Sequence, residues 1–219
     1  MKKNIVYPLV AVVVSVVLAG VAVLLPLLSV YNIVLPSEYY FVCYKSGDDA
    51  QSVGIVNSTV QNYGGAGYTL NLDGEYVSAV ACYYSIEDAE KVSAAFFDSG
   101  IECAVYGVQV NEYELALRYR DDVCRIEGAL KTFCQLASIY YSLANAIDGG
   151  VIDGGSACAI IEDADAVLSN LEKTDIFPLA DAAANVARYT KNLGDAVCSW
   201  QLRLLQIAVV DNLMNISFA

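Results

Sequence analysis

Two short segments place acids and a cysteine at the same spacing: CYKSGDDAQSV, from Cys43 to Val53, and CYYSIEDAEKV, from Cys82 to Val92. Six of the eleven positions are identical, and Asp48 in the first is answered by Glu87 in the second. Neighbouring carboxylates beside a thiol could do acid–base or nucleophilic work if burial or a partner shifted one of them. The rest of the chain withholds the usual partners. It has no His, which excludes a Ser-His-Asp triad, a Cys-His dyad and a His-ligated metal. The seven cysteines (Cys43, Cys82, Cys103, Cys124, Cys134, Cys158, Cys198) contain no CxxC pair, against a zinc ribbon or a thioredoxin-type site. They read as small buried apolar residues, with at least one free or joined to another chain. No other acids gather into a site-like cluster. The expectation is a protein that is not an enzyme, with no catalytic, cofactor-binding or metal residues.

A phrase written twice, thirty-nine residues apart, is better explained by the elements around it. In the second copy, Tyr76 to Cys82 is small and β-branched, a buried strand. Ser85 and Asp88 then stand in the spacing of a capping box, and Ala89, Val92, Ala95 and Phe96 form one apolar helical face. Gly100 ends that helix, and Ile101, Cys103 and Val105 alternate as the next strand. The first copy repeats the layout: strand Tyr39 to Tyr44, cap Ser46 and Asp49, and a helical stripe of Ala50, Val53, Val56 and Val60. Glycines 64, 65 and 67 close it, strand Tyr68 to Leu72 follows, and Asp73-Gly74 is a tight-hairpin signal joining the halves. The order β-α-β, hairpin, β-α-β predicts an α+β, ferredoxin-like βαββαβ module over 38–110. Its four-stranded antiparallel sheet carries both helices on one face.

Ahead of it, residues 5–30 carry no charge, long enough for a transmembrane helix. Lys2 and Lys3 in the 1–4 tail put the N-terminus in the cytoplasm and the bulk of the chain outside a cell membrane, after a 31–37 linker. A cleaved signal peptide is the rival, with Ala19 to Ala22 resembling a cleavage site. The net charge of −13 leaves no basic patch for nucleic acid.

The corner residues carry a resemblance. Val80-Ala81-Cys82-Tyr83 followed by Ser85-Ile86-Glu87-Asp88-Ala89, with Tyr44 and Asp48-Asp49-Ala50 in the first half, resembles the SPOR (sporulation-related repeat) domain of bacterial envelope proteins. The resemblance covers about residues 38–108 and implies binding of peptidoglycan glycan strands on the sheet, in division, sporulation or wall remodelling. Members often carry Arg where Ala79 stands. Strand alternation turns Phe41, Cys43, Tyr68, Leu70, Leu72, Val80, Ile101, Cys103 and Val105 toward the helices. Tyr40, Val42, Thr69, Asn71, Val77, Ala79, Glu102, Ala104 and Tyr106 take the open face. Tyr40, Asn71, Glu102 and Tyr106 are the glycan-binding candidates, by ring stacking and hydrogen bonds to sugar hydroxyls. The alternative is an envelope scaffold whose sheet binds a protein.

Beyond Asn111 the period becomes helical. Val123 to Ile147 steps by three and four, and three helices are expected at about 112–147, 156–173 and 178–214, an up-down-up bundle within 112–216. Its last helix overshoots a short middle one. Its tail therefore needs either a bend in the bundle or cover from a second protomer or protein partner.

Overall fold

The computed structural model describes residues 31–219 with the exception of residue 192. Strand β1 (Tyr31–Gly47) leads into helix α1 (Ala50–Asn62), followed by β2 (Tyr68–Leu72), β3 (Glu75–Tyr83), α2 (Ile86–Asp98) and β4 (Ala104–Leu115). The strands form one antiparallel sheet in the order β2-β3-β1-β4. A 3-10 turn (Leu117–Asp122) and four helices complete the chain: α3 (Val123–Asp148), α4 (Gly154–Glu172), α5 (Phe177–Thr190) and α6 (Ser199–Asn215).

The duplicated phrase forms two strand-to-helix corners that differ in where the helix starts. Ser85 caps α2, its Oγ accepting from the Asp88 amide at 3.2 Å. In the first copy the cap is Asp49, whose Oδ1 accepts from the Ser52 amide at 2.7 Å. Ser46, expected in that role, stays in β1 and pairs with Val77. Between β2 and β3, Asp73 and Gly74 both take positive φ, 53° and 92°, and Asn71 Oδ1 accepts from the Gly74 amide at 2.9 Å. That is the hairpin geometry the dipeptide favours.

The expected architecture requires several corrections. Residues 31–37 are strand, with Tyr31 to Val34 pairing Leu115 to Glu112; the ladder slips between Val34 and Ser37, beside Pro36, which has no N–H to give it. Residues 112–115 accordingly belong to β4, and the long helix begins only at Val123. The expected 178–214 helix is two helices, interrupted before Ser199, where Cys198 accepts the role of N-cap and its amide donates to Gln201 Oε1 at 2.8 Å. Among the described residues the C-terminal helices form no separate three-helix bundle. Helices α3 and α6 pack together and lie on the sheet, α5 packs on α6, and α4 on α5. Among the described residues no helix is long and apolar enough to cross a membrane, and the expected span over 5–30 lies outside them.

The sheet is therefore buried on both faces. Toward α1 and α2 it presents Val42, Val80 and Ala81, with Cys103 and Val105 half-buried. Toward α3 and α6 it presents Tyr39, Phe41, Cys43, Leu70, Leu72, Val77 and Ala79. For β1 and β2 this reverses the expected faces. Thr69, expected on the open side, accepts from Asn57 of α1 at 2.8 Å. A strand buried on both sides lacks the polar alternation that tells its faces apart, and the bulkier set faces the larger core. The α6 residues Leu205 to Val210 are all buried, so the tail that needed cover finds it on its own sheet.

Candidate functional site

The face expected to be open is occupied by the chain itself. Three polar ties accompany the apolar contact: Gln206 Nε2 donates to the Cys82 carbonyl at 3.1 Å, Tyr68 Oη to Asp211 Oδ2 at 2.7 Å, and Tyr113 Oη to the Leu213 carbonyl at 3.0 Å. Ala79, where an Arg often stands in the family resembled, is fully buried.

The four candidates divide. Tyr40 sits with the α1/α2 core, its hydroxyl donating to Glu38 at 3.0 Å, and this bond together with the carboxylate's charge raises the phenol pKa. A Cβ on Gly107 would stand 3.3 Å from the Tyr40 ring, so the ring is settled against β4. Tyr106 packs on the opposite side, against the α3/α6 core, and partial burial followed by the charge of Glu75 raises its pKa. Asn71 is exposed and already supplies its Oδ1 to the hairpin; Glu102 is exposed just ahead of β4.

Three of these four border open space together. One cleft of about 670 Å³ lies between β4, the β2–β3 hairpin and the end of α6, and its lining includes Asn71, Asp73, Tyr106, Glu112 and Asn215. A second, of about 570 Å³, is lined by Tyr44, Ser46, Glu102 and Tyr106, among others. Tyr106 borders both, so the two adjoin there. Tyr40 borders neither. Sequence reasoning missed Asp73, Glu112 and Asn215: the first was read only as a turn, the second was assigned past the module, and α6 had not been placed on the sheet.

This arrangement suits hydrogen-bonded recognition. Carboxylates only accept, so Asp73, Glu102 and Glu112 call for a ligand rich in hydroxyl or N–H donors, with the Tyr106 ring as an apolar surface between them. Among the described residues, no three His, Cys, Asp or Glu stand close enough to hold a metal ion.

No protein-family model matches the chain, and no curated protein matches it significantly. Among solved structures, it is similar to the peptidoglycan-binding domain of the B. subtilis cell wall lytic enzyme CwlC, at 19% identity and a TM-score of 0.29. The match covers 33% of this chain and 91% of that domain.

Proposed function

We propose that this is a non-catalytic cell-wall-binding protein, meeting the wall outside the cytoplasm and holding a linear peptidoglycan glycan strand along β4. The observation that carries the reading is the position of Tyr106 between two adjoining clefts, with Asn71 on one side and Glu102 on the other. Each cleft falls within the range of small-molecule sites, roughly 300–1,000 Å³, and a band of two such clefts favours a chain of sugars over a single one. Hydroxyls and acetamide N–H groups would meet the carboxylates and amides, and a sugar's C–H face would lie on the ring. Since α6 occupies the broad sheet face, the strand lies at its margin.

Sedimentation of the full chain with purified sacculi tests this. Tyr106→Ala should lose most of the bound fraction while Tyr40→Ala, on the other side of the sheet, keeps it. Equal retention by both, with circular dichroism unchanged, would reject the site. The scaffold reading draws on a different observation: β4 is an edge strand, to which an extended peptide could add. Sacculi stripped of protein by protease separate the two. Binding that vanishes on stripping favours the peptide.

A further inference from the structure

A third cleft, of about 480 Å³, lies between the 3-10 turn, the start of α5 and the end of α6. Every residue that lines it lies beyond β4, outside the duplicated module. Asn215 and Ile216 line both this cleft and the first one, so the two meet at the end of α6.

Its walls are fixed by contacts within the chain. Phe218 is buried and pairs with Leu115 at the end of β4, and its carbonyl accepts from the Ala116 amide at 2.9 Å. The Tyr119 ring stands edge-on to Phe218 at 5.7 Å. The Arg118 guanidinium lies over Tyr119, 4.9 Å from the ring centre, and its Nη2 donates to the Ala219 carbonyl at 2.6 Å. A guanidinium carries five N–H donors, so this bond leaves others for a ligand. On the helical side, Asn212 Nδ2 is held by the Ala208 carbonyl at 2.8 Å, and Asn185 Nδ2 by Asn212 Oδ1 at 3.3 Å. That leaves Asn185 Oδ1 to accept. Phe177, Asp181 and Asn185 follow at spacings of four, one face of α5, and all three border the cleft. Phe177 is 77% exposed, while its neighbour Ile176, at 2%, supplies the core contact there.

We infer that this cleft is a further glycan subsite, an inference that rests on the reading above. The glycan strand held along β4 passes the end of α6, and its next sugars lie between the 3-10 turn and α5. A sugar's C–H face rests on the Phe177 ring, its hydroxyls donate to Asp181 and Asn185 Oδ1, and its acetamide carbonyl or ring hydroxyls accept from Arg118. Donors and acceptors line the cleft together, which suits a ligand that offers both at every ring. The helical extension thus lengthens the footprint that the sheet provides.

Titration calorimetry on the full chain tests this, using glycan strands freed of stem peptides by an amidase and sorted by length. Affinity for the parent protein should keep rising with length beyond the shortest strands that bind. In the double variant Arg118→Gln, Phe177→Ala, the long strands should bind roughly three- to tenfold more weakly, the scale of one ring contact and one hydrogen bond from a charged donor. The shortest strands should bind it as they bind the parent. Both side chains are exposed, so the fold should survive, which circular dichroism checks. Tyr106→Ala should weaken strands of every length. A double variant that binds all lengths like the parent would overturn the subsite and leave the β4 site standing. A loss shared equally by the shortest strands would overturn its placement as an extension of the β4 path. Failure of every length to bind the parent would overturn the glycan reading itself.

Discussion

The side chain of Gln206 donates to the backbone carbonyl of Cys82 at 3.1 Å, with both residues fully buried. It joins α6 to the end of β3 at the repeated phrase, 124 positions away in sequence. Without that donor a carbonyl at a strand end is left buried and short of a partner. Gln206→Leu keeps most of the volume and removes the donor, so it isolates the polar part. It should lower the unfolding free energy by about 1–3 kcal/mol, read from urea midpoints at constant m-value. An unchanged midpoint would mean the bond contributes nothing net to holding α6 on the sheet.

The same contact marks where the sequence stops being legible. Ser85 and the Asp73-Gly74 hairpin act as their types and spacing indicate, because caps and tight turns are satisfied within a few residues. The four-stranded antiparallel sheet also follows from the duplicated layout. What depends on α6 could not be read locally. Phe41 and Leu70 are apolar whichever core they enter, and only the placement of α6 decides which. Asp211, an acid among the apolar positions of α6, is the acceptor for Tyr68, 143 positions away. The heptad spacing ran on past residue 190 although the helix does not, since apolar spacing is blind to a break between two helices that both face one core. For the candidate site, strand alternation places Tyr106 on the face where it lies; Asn71 borders the first cleft from the hairpin end although β2 is reversed, and Tyr40 is lost to the reversed face of β1.

Asp211 should give stability a measurable pH dependence. Its burial pushes the carboxyl above its ordinary value, opposed by the bonds from Tyr68 and Asn215. A folded-state pKa above the unfolded one means the folded protein holds the proton more tightly. That contribution is fully present below the ordinary carboxylate value, about 3.9, and is lost as pH rises through the folded value. In Asp211→Asn the Tyr68 hydroxyl can accept instead of donate, so the contact survives without a charge. The variant's stability relative to the parent should therefore rise as pH increases through that window. Taking the difference removes the opposite trend from Asp49, Asp88, Asp153 and Asp175, whose pKa values are lowered by their hydrogen bonds. A difference that stays flat with pH would show that Asp211 is not perturbed.

Gly67 and Gly64 separate backbone strain from crowding. Both take positive φ, 59° and 84°. A Cβ on Gly67 would stand 2.3 Å from the Asn57 carbonyl oxygen, whereas one on Gly64 meets nothing within 4 Å. Gly64→Ala should cost about 1 kcal/mol, the left-handed penalty alone. Gly67→Ala must also push β2 away from α1, and should cost well beyond that, of order 1–3 kcal/mol more. Thermal unfolding of the pair checks this; equal losses would mean that the α1–β2 corner relaxes freely.

The cysteines should separate by reactivity into classes that follow burial. Cys124 and Cys198 are exposed, Cys43 and Cys82 are buried, and Cys103 is intermediate, all with free thiols. Alkylation and disulfide exchange proceed through the thiolate, so a raised pKa slows them at neutral pH. Burial pushes the Cys103 thiol up to about 11 and, followed by the fields of neighbouring groups, holds Cys43 and Cys82 higher than ordinary thiols. Under native conditions a thiol reagent should therefore label Cys124 and Cys198 first. Cys103 should follow slowly and accelerate with increasing pH, since opening is not required to reach it. Cys82, beneath α3 and α6, should react only as fast as that layer comes away from the sheet, and Gln206→Leu should speed it selectively. Mass spectrometry of timed, quenched digests gives the order directly. Early modification of Cys82 in the parent protein would mean that α6 leaves the sheet readily, and that the face it covers is accessible after all.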